Sequence, residues 1–109
     1  MTQAPGKGYI YAELDVRDEK HFYDEYMPRV RPVLEDCQAK FLIIGGAPEV
    51  IEGDRSVKRV VLLEFESLQA AKDFYYSKAY QDVIGYRFDS ADTHLYFLAG
   101  PNADGSGEQ

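Results

Sequence analysis

Two histidines, His21 and His94, are the side chains whose ordinary pKa lies nearest neutrality, and either could move a proton at physiological pH. His21 falls where a helix should begin, a position that is normally solvated. His94 falls at the start of a late strand, beside Asp92, on the face expected to meet a second subunit. Glu64 is a second candidate base. It interrupts the run Val60, Val61, Leu62, Leu63 and Phe65, where a carboxylate must be paired, neutral or at the wet end of a strand. A perturbed carboxylate in such a run marks a candidate site, and an ion pair with Arg59 or Arg87 is the plainer alternative.

Arg59 and Arg87 carry forked donors that match a carboxylate, and Tyr26, Tyr75, Tyr76, Tyr80 and Tyr86 could line a pocket with rings and hydroxyls. Most of the tyrosines nevertheless stand at helical or strand spacing, where the ring packs and the hydroxyl stays wet. The expected assignment is therefore Glu64 and His94 as catalytic candidates, with Tyr26, Arg59, Tyr80 and Arg87 as ligand contacts. The remaining patterns point to ordinary roles. Gly45 and Gly46 lack the Lys-Ser/Thr pair and helix start of a phosphate loop. Glu49, Glu52 and Asp54 lack calcium-loop spacing, and Ser67 and Ser77 have no histidine at motif spacing. Cys37 is the single cysteine, so no intrachain disulfide and no cysteine-rich zinc site can form. No metal and no tightly bound cofactor is expected.

The elements that must position these groups can be read from periodicity. Tyr9 to Val16 alternates, with Ile10, Ala12, Leu14 and Val16 opposite Tyr9, Tyr11, Glu13 and Asp15, as in a strand. Asp18 can cap a helix whose stripe is Phe22, Tyr26, Val30, Val33 and Cys37, and Pro28 and Pro32 should kink or divide it. Lys40 to Ile44, Gly45-Gly46, Pro48 to Ile51 and the turn Glu52-Gly53-Asp54 together predict a hairpin. Arg59 to Phe65 reads as a central strand, Ser67 as the cap of a helix from Leu68 to about Ser77, Tyr80 to Phe88 as a short helix and Thr93 to Ala99 as the last strand. At 109 residues the chain fits a single domain, residues 8–100, with residues 1–7 and 101–109 as flexible tails. The order is a duplicated split β-α-β unit with an inserted hairpin: an α+β, ferredoxin-like antiparallel sheet with two main helices on one face.

Composition narrows the partners. Nineteen acidic against 12 basic side chains give a net charge of -7, which repels a nucleic-acid backbone and disfavours an anionic membrane. No apolar run spans a bilayer and no signal-peptide pattern opens the chain, so a cytoplasmic location is the expectation. Two helices cover one face of a four-stranded sheet, yet Arg59 to Phe65 and Thr93 to Ala99 are apolar on both faces. The second face, roughly 360 Å² at strand spacing, is worth up to ~9 kcal/mol if wholly apolar, and a two-fold copy covers it most simply. A homodimer, a dimeric α/β barrel, is expected.

The segments KGYIYAELDV, FLIIGG with EVIEGD, RVVLLEFESLQAAKDFYYSKAYQ and LYFLAG, spread from Lys7 to Gly100, resemble the domain of unknown function 1330 family of small dimeric α/β-barrel proteins. The run from Glu64 and Phe65 through Ser67 and Ala71 to Tyr75, Ser77 and Tyr80 is its most specific part. Lys78 stands where that family often has proline, a departure that affects the turn. The resemblance implies the fold and the dimer and names no activity. Cofactor-free monooxygenases and muconolactone isomerase-like enzymes share the superfamily, at the level of fold. Three readings follow: a module holding a small organic acid or aromatic ligand in a cleft with Arg87, a cofactor-free oxygenase or isomerase using His94 or Glu64, and a purely structural dimer.

Overall fold

Alternation decides which side chains the sheet turns inward. The computed structural model describes residues 6–101. In it β1, Gly8–Val16, buries Ile10, Ala12 and Leu14, while Tyr9, Tyr11 and Glu13 point to the opposite face. β2 is Lys40–Ile44, β3 Arg59–Phe65 and β4 Ala91–Ala99. The order across the sheet is β2-β3-β1-β4, with every neighbour antiparallel. The chain crosses the same face between β1 and β2 and again between β3 and β4, so two β-α-β units interleave. The protein is thus a ferredoxin-like α+β fold, as its periodicity predicts. The ends of the fold meet where the Gly100 amide donates to the Lys7 carbonyl at 2.7 Å. The expected tails lie for the most part in residues 1–5 and 102–109, outside the described residues. Among the described residues no helix is long and apolar enough to cross a membrane.

The first crossover is one helical rod with an irregularity. Asp18 caps α1, Glu19–His21, by accepting the His21 amide at 3.0 Å. A π-helical turn, Phe22–Tyr26, follows, and α2, Met27–Asp36, continues beyond it. The expected division falls just ahead of Pro28 and takes the form of this wide turn. Pro28 enters in the first turn of α2, where a missing N–H matters least, and the preceding turn widens so that the Met27 amide reaches the Phe22 carbonyl. Pro32 lies inside α2 on its exposed side. The buried stripe is Phe22, Tyr26, Val30 and Leu34. Val33 and Cys37, expected in it, sit half-buried at its margin.

The predicted hairpin takes another form. Pro48 to Ile51 makes no strand, because Gly45 and Gly46 both adopt positive φ, 69° and 99°, and turn the chain out of the sheet. β2 pairs instead with β3, slipping register between Phe41 and Ile43, and residues 45–58 form one long irregular connection. The second crossover comprises α3, Leu68–Tyr76, then α4, Lys78–Gln81, and α5, Ile84–Phe88. The Ser67 hydroxyl caps α3 at the Ala70 amide, 3.0 Å away. α3 lies close on the sheet: Ala71 is fully buried and Phe74 packs on Phe65 at 5.5 Å between ring centroids. Phe65, 1% exposed, is the anchor of this layer, and its truncation to alanine removes about 3–5 kcal/mol.

Candidate functional site

Between the helix layer and the sheet lies a cavity of about 70 Å³. That is well below the roughly 300–1,000 Å³ of pockets for drug-sized ligands, so only a small molecule fits without movement. Its walls are mainly aliphatic, from Ile10, Leu14, Val30, Leu34, Leu63 and Leu95. Besides Tyr75, five polar side chains reach it: Tyr26, Tyr80, Arg87, Arg59 and Thr93.

Three of these five form a chain of contacts on the helix side. The Tyr26 and Tyr80 hydroxyls lie 2.8 Å apart, and Arg87 Nε donates to the Tyr80 hydroxyl at 3.1 Å. Local structure fixes each member. The π turn delivers Tyr26 to the interior. Ser77 caps α4 by accepting the Tyr80 amide at 3.1 Å and donates to the Phe74 carbonyl at 2.7 Å, so its role is positional. Ser90, fully buried, donates its hydroxyl to the Tyr86 carbonyl at 2.7 Å, and its amide donates to the Arg87 carbonyl, which pins the end of α5 that carries Arg87.

Burial first, and then the neighbouring Tyr80, hold the Tyr26 phenol well above its ordinary 10.0, with Arg87 pulling weakly the other way. Tyr26 therefore keeps its proton at neutral pH. Arg87 is 4% exposed. Its guanidinium lies 5.1 Å from the Phe88 ring centroid, and among the described residues it forms no ion pair. Burial works against its charge, while the Tyr80 and Tyr26 oxygens work for it and hold its pKa above the ordinary arginine value, so it remains a cation.

Arg59 and Thr93 belong to the sheet side. Leu14 pairs with Arg59 on one flank and with Thr93 on the other, so the three form one row across β3, β1 and β4. Arg59 Nε and Thr93 Oγ1 are both buried without a hydrogen-bond partner. The Arg59 guanidinium lies 5.5 Å from the Tyr23 ring centroid, and a Cβ on Gly45 would run into it. No aspartate, glutamate, histidine or cysteine lines the cavity.

The two catalytic candidates are elsewhere. Odd-numbered residues of β3 face the helices and even-numbered ones face away, so Glu64 lies on the outer face of the sheet with neither arginine within reach. The suggested ion pair with Arg59 or Arg87 does not form; Glu64 accepts instead from the Tyr9 hydroxyl at 3.2 Å. His94 is also on the outer face, in an open groove of about 320 Å³ with Glu13, Asp15, Arg55 and Asp92. Glu64 is opposite Tyr9 and His94 opposite Glu13, four residues and about 13 Å apart along β1, so the two do not converge.

Of the other tyrosines, Tyr75 lines the cavity, Tyr76 is exposed and Tyr86 packs under Arg29, 4.3 Å from its ring centroid. His21 packs on Tyr86 at 5.8 Å between ring centroids, with Nε2 buried and unpartnered. The Cys37 thiol is raised by burial, then by Asp36 and Asp73, which makes it a poor nucleophile. Among the described residues no three histidine, cysteine or acidic side chains group as metal ligands. Thr93 was not picked out by sequence as a contact. Its signal was present: a hydroxyl residue two positions before Leu95, on the face that Leu95 and Phe97 turn to the core.

The fold defines a class, the ferredoxin-like α+β proteins. Within it, the chain belongs to the family of the domain of unknown function DUF1330, whose model matches residues 7–101. A protein of unknown function from Rhodopseudomonas palustris superposes with a TM-score of 0.71 at 18% identity, covering 89% of this chain and 84% of that one. An ethd-like protein from Ralstonia eutropha gives 0.56 at 14% identity, covering 85% and 90%. A conserved protein of unknown function from Bacteroides thetaiotaomicron, described as a possible oxidoreductase, gives 0.53 at 8% identity, covering 88% and 99%. These likenesses establish the fold. The comparison with curated proteins gives no match.

Proposed function

We propose that the protein binds a small organic acid in the cavity between its helices and sheet, as a homodimer joined through the outer sheet face. The observation that carries the first part is Arg87, a residue 4% exposed whose charged head has a hydroxyl and a ring for partners and no carboxylate. Removing a cation from water costs several kcal/mol, and these partners are all neutral. An acid in the cavity supplies the missing negative charge, held by Arg87 and by the Tyr80 and Tyr26 hydroxyls, while the aliphatic walls take its carbon chain. Since no base lines the cavity, binding suits it better than proton abstraction.

The dimer rests on the outer face, where Tyr11 and Tyr96 stack at 6.0 Å between centroids, Leu62 shares their row, and Val60 and Leu98 stand in the rows on either side. Stable interfaces cover about 800 Å² per partner, more than the sheet face alone provides. The exposed Leu42, Ile43 and Ile44 of β2, with Val50 and Ile51 of the long connection, extend the apolar area. In this assembly Glu64 and His94 belong to the surface between subunits.

The test is titration calorimetry of the purified protein with short-chain carboxylic acids, using acetate, butyrate and benzoate. Binding by the wild type and a loss of roughly tenfold or more in Arg87→Ala are expected, from one charge-assisted hydrogen bond. Affinity unchanged by that substitution would overturn the assignment.

A further inference from the structure

Resting on the acid-binding reading above, we infer that the ligand is a short dicarboxylate, its second carboxylate held by Arg59 with Thr93 beside it. The cavity has two cationic residues in its wall and no anionic one, in a chain where acidic side chains outnumber basic ones 19 to 12. Neither arginine forms an ion pair among the described residues, whereas Arg17, Arg29 and Arg55 each do. A single carboxylate bound at Arg87 would leave the Arg59 Nε donor and the Thr93 hydroxyl buried and unpartnered, as they are in the free protein.

The two arginines reach the cavity from different walls. Arg87 comes from α5, on the helix side, and Arg59 from β3, in the floor. Arg59 is also held in place. One flat side of its guanidinium is over Tyr23 and its head lies against the backbone at Gly45, where positive φ and the lack of a Cβ leave room for it. An arginine left to solvent would need neither support. The same cavity is walled by the aliphatic Ile10, Leu14 and Leu63, which suits a short methylene chain rather than a polar one. The small cavity limits that chain to a few carbons.

The experiment compares succinate with butyrate, equal in carbon number and different in the second carboxylate, by calorimetry on wild-type protein and on Arg59→Gln. Succinate is expected to bind at least tenfold tighter to the wild type, and Arg59→Gln to bring the two affinities together by weakening succinate roughly tenfold more than butyrate. Equal wild-type affinities for the two acids would overturn the dicarboxylate assignment and leave acid binding at Arg87 intact. Binding of neither acid would remove both. Thr93→Val, which keeps strand propensity and shape, should reduce the succinate preference in part, so the assignment remains testable even if Arg59→Gln folds poorly.

Discussion

Replacing Arg87 by methionine should make the ligand-free protein more stable while abolishing acid binding. Arg87 as a whole residue is 4% exposed, and burying its charge costs several kcal/mol. Against that stand one charge-assisted bond to Tyr80, about 1.5–3 kcal/mol, and a partial stacking on Phe88 worth about 0.5–1 kcal/mol. Methionine fills similar space, adapts to irregular surroundings and has no charge to desolvate. The Tyr80 hydroxyl retains its bond to Tyr26. By analogy with buried charges exchanged for apolar groups, the net gain is about 1–3 kcal/mol. At roughly 4 °C per kcal/mol for a chain of this length, the melting temperature rises by about 4–12 °C. Urea unfolding and calorimetric melting at matched protein concentration, without carboxylates in the buffer, measure this directly. A loss of 1 kcal/mol or more in Arg87→Met would show that the guanidinium is already compensated within the protein and would refute the reasoning from an unmet charge.

Three further outcomes are expected. Tyr26→Phe should cost about 1 kcal/mol at pH 7, from one hydrogen bond, and should flatten the alkaline stability profile. The sign follows from the raised phenol: above pH 10 the unfolded chain releases this proton while the folded one keeps it, so wild-type stability falls as pH rises, by at most about 1.4 kcal/mol per pH unit for this group. Urea titrations between pH 9 and 11 that show identical slopes for the two proteins would count against it. Leu98→Lys, on the outer face, should convert a dimer to a monomer by light scattering, and a monomeric wild type would remove the interface altogether. Ser67→Ala should lower stability by about 1 kcal/mol in denaturant melts through loss of the α3 cap, with acid affinity unchanged.

The sheet was legible because period-two alternation in β1, β3 and β4 is a direct consequence of backbone geometry and needs no tertiary information. The same alternation already separated Glu64 from Arg59, odd from even on one strand. Ser67 and Asp18 announced their helices because a hydroxyl or carboxylate ahead of an apolar stripe has a local partner three residues on. The grouping of four polar residues at one cavity has a different origin. Tyr26, Tyr80, Arg87 and Arg59 are far apart in sequence, and only the crossovers bring them to one cavity. Residue type suggested them, but nothing local could place them together. The hairpin was misread because Val50 and Ile51 have strand composition, and the left-handed glycines before them decide the path instead. The prolines marked the irregularity in the first helix but not its form, because their cost was counted at fixed α geometry, whereas a wider turn removes part of the conflict.

That wider turn bears on how the long helix keeps phase with the sheet. Its buried residues, Phe22, Tyr26, Val30 and Leu34, recur at a strict interval of four. At 3.6 residues per turn each such step overshoots a full revolution by about 40°, so a purely α-helical rod would carry the row steadily around its circumference. The five-residue ring at Phe22–Tyr26 turns more slowly and takes back part of that drift, so it acts as a phase correction near one end of the row. One residue added to or removed from an ordinary α-helical stretch turns everything beyond it by about 100°, whereas the wide turn absorbs an extra residue with little change of phase, which keeps Asp18 and Phe22 aligned with Val30 and Tyr26 set against Tyr80.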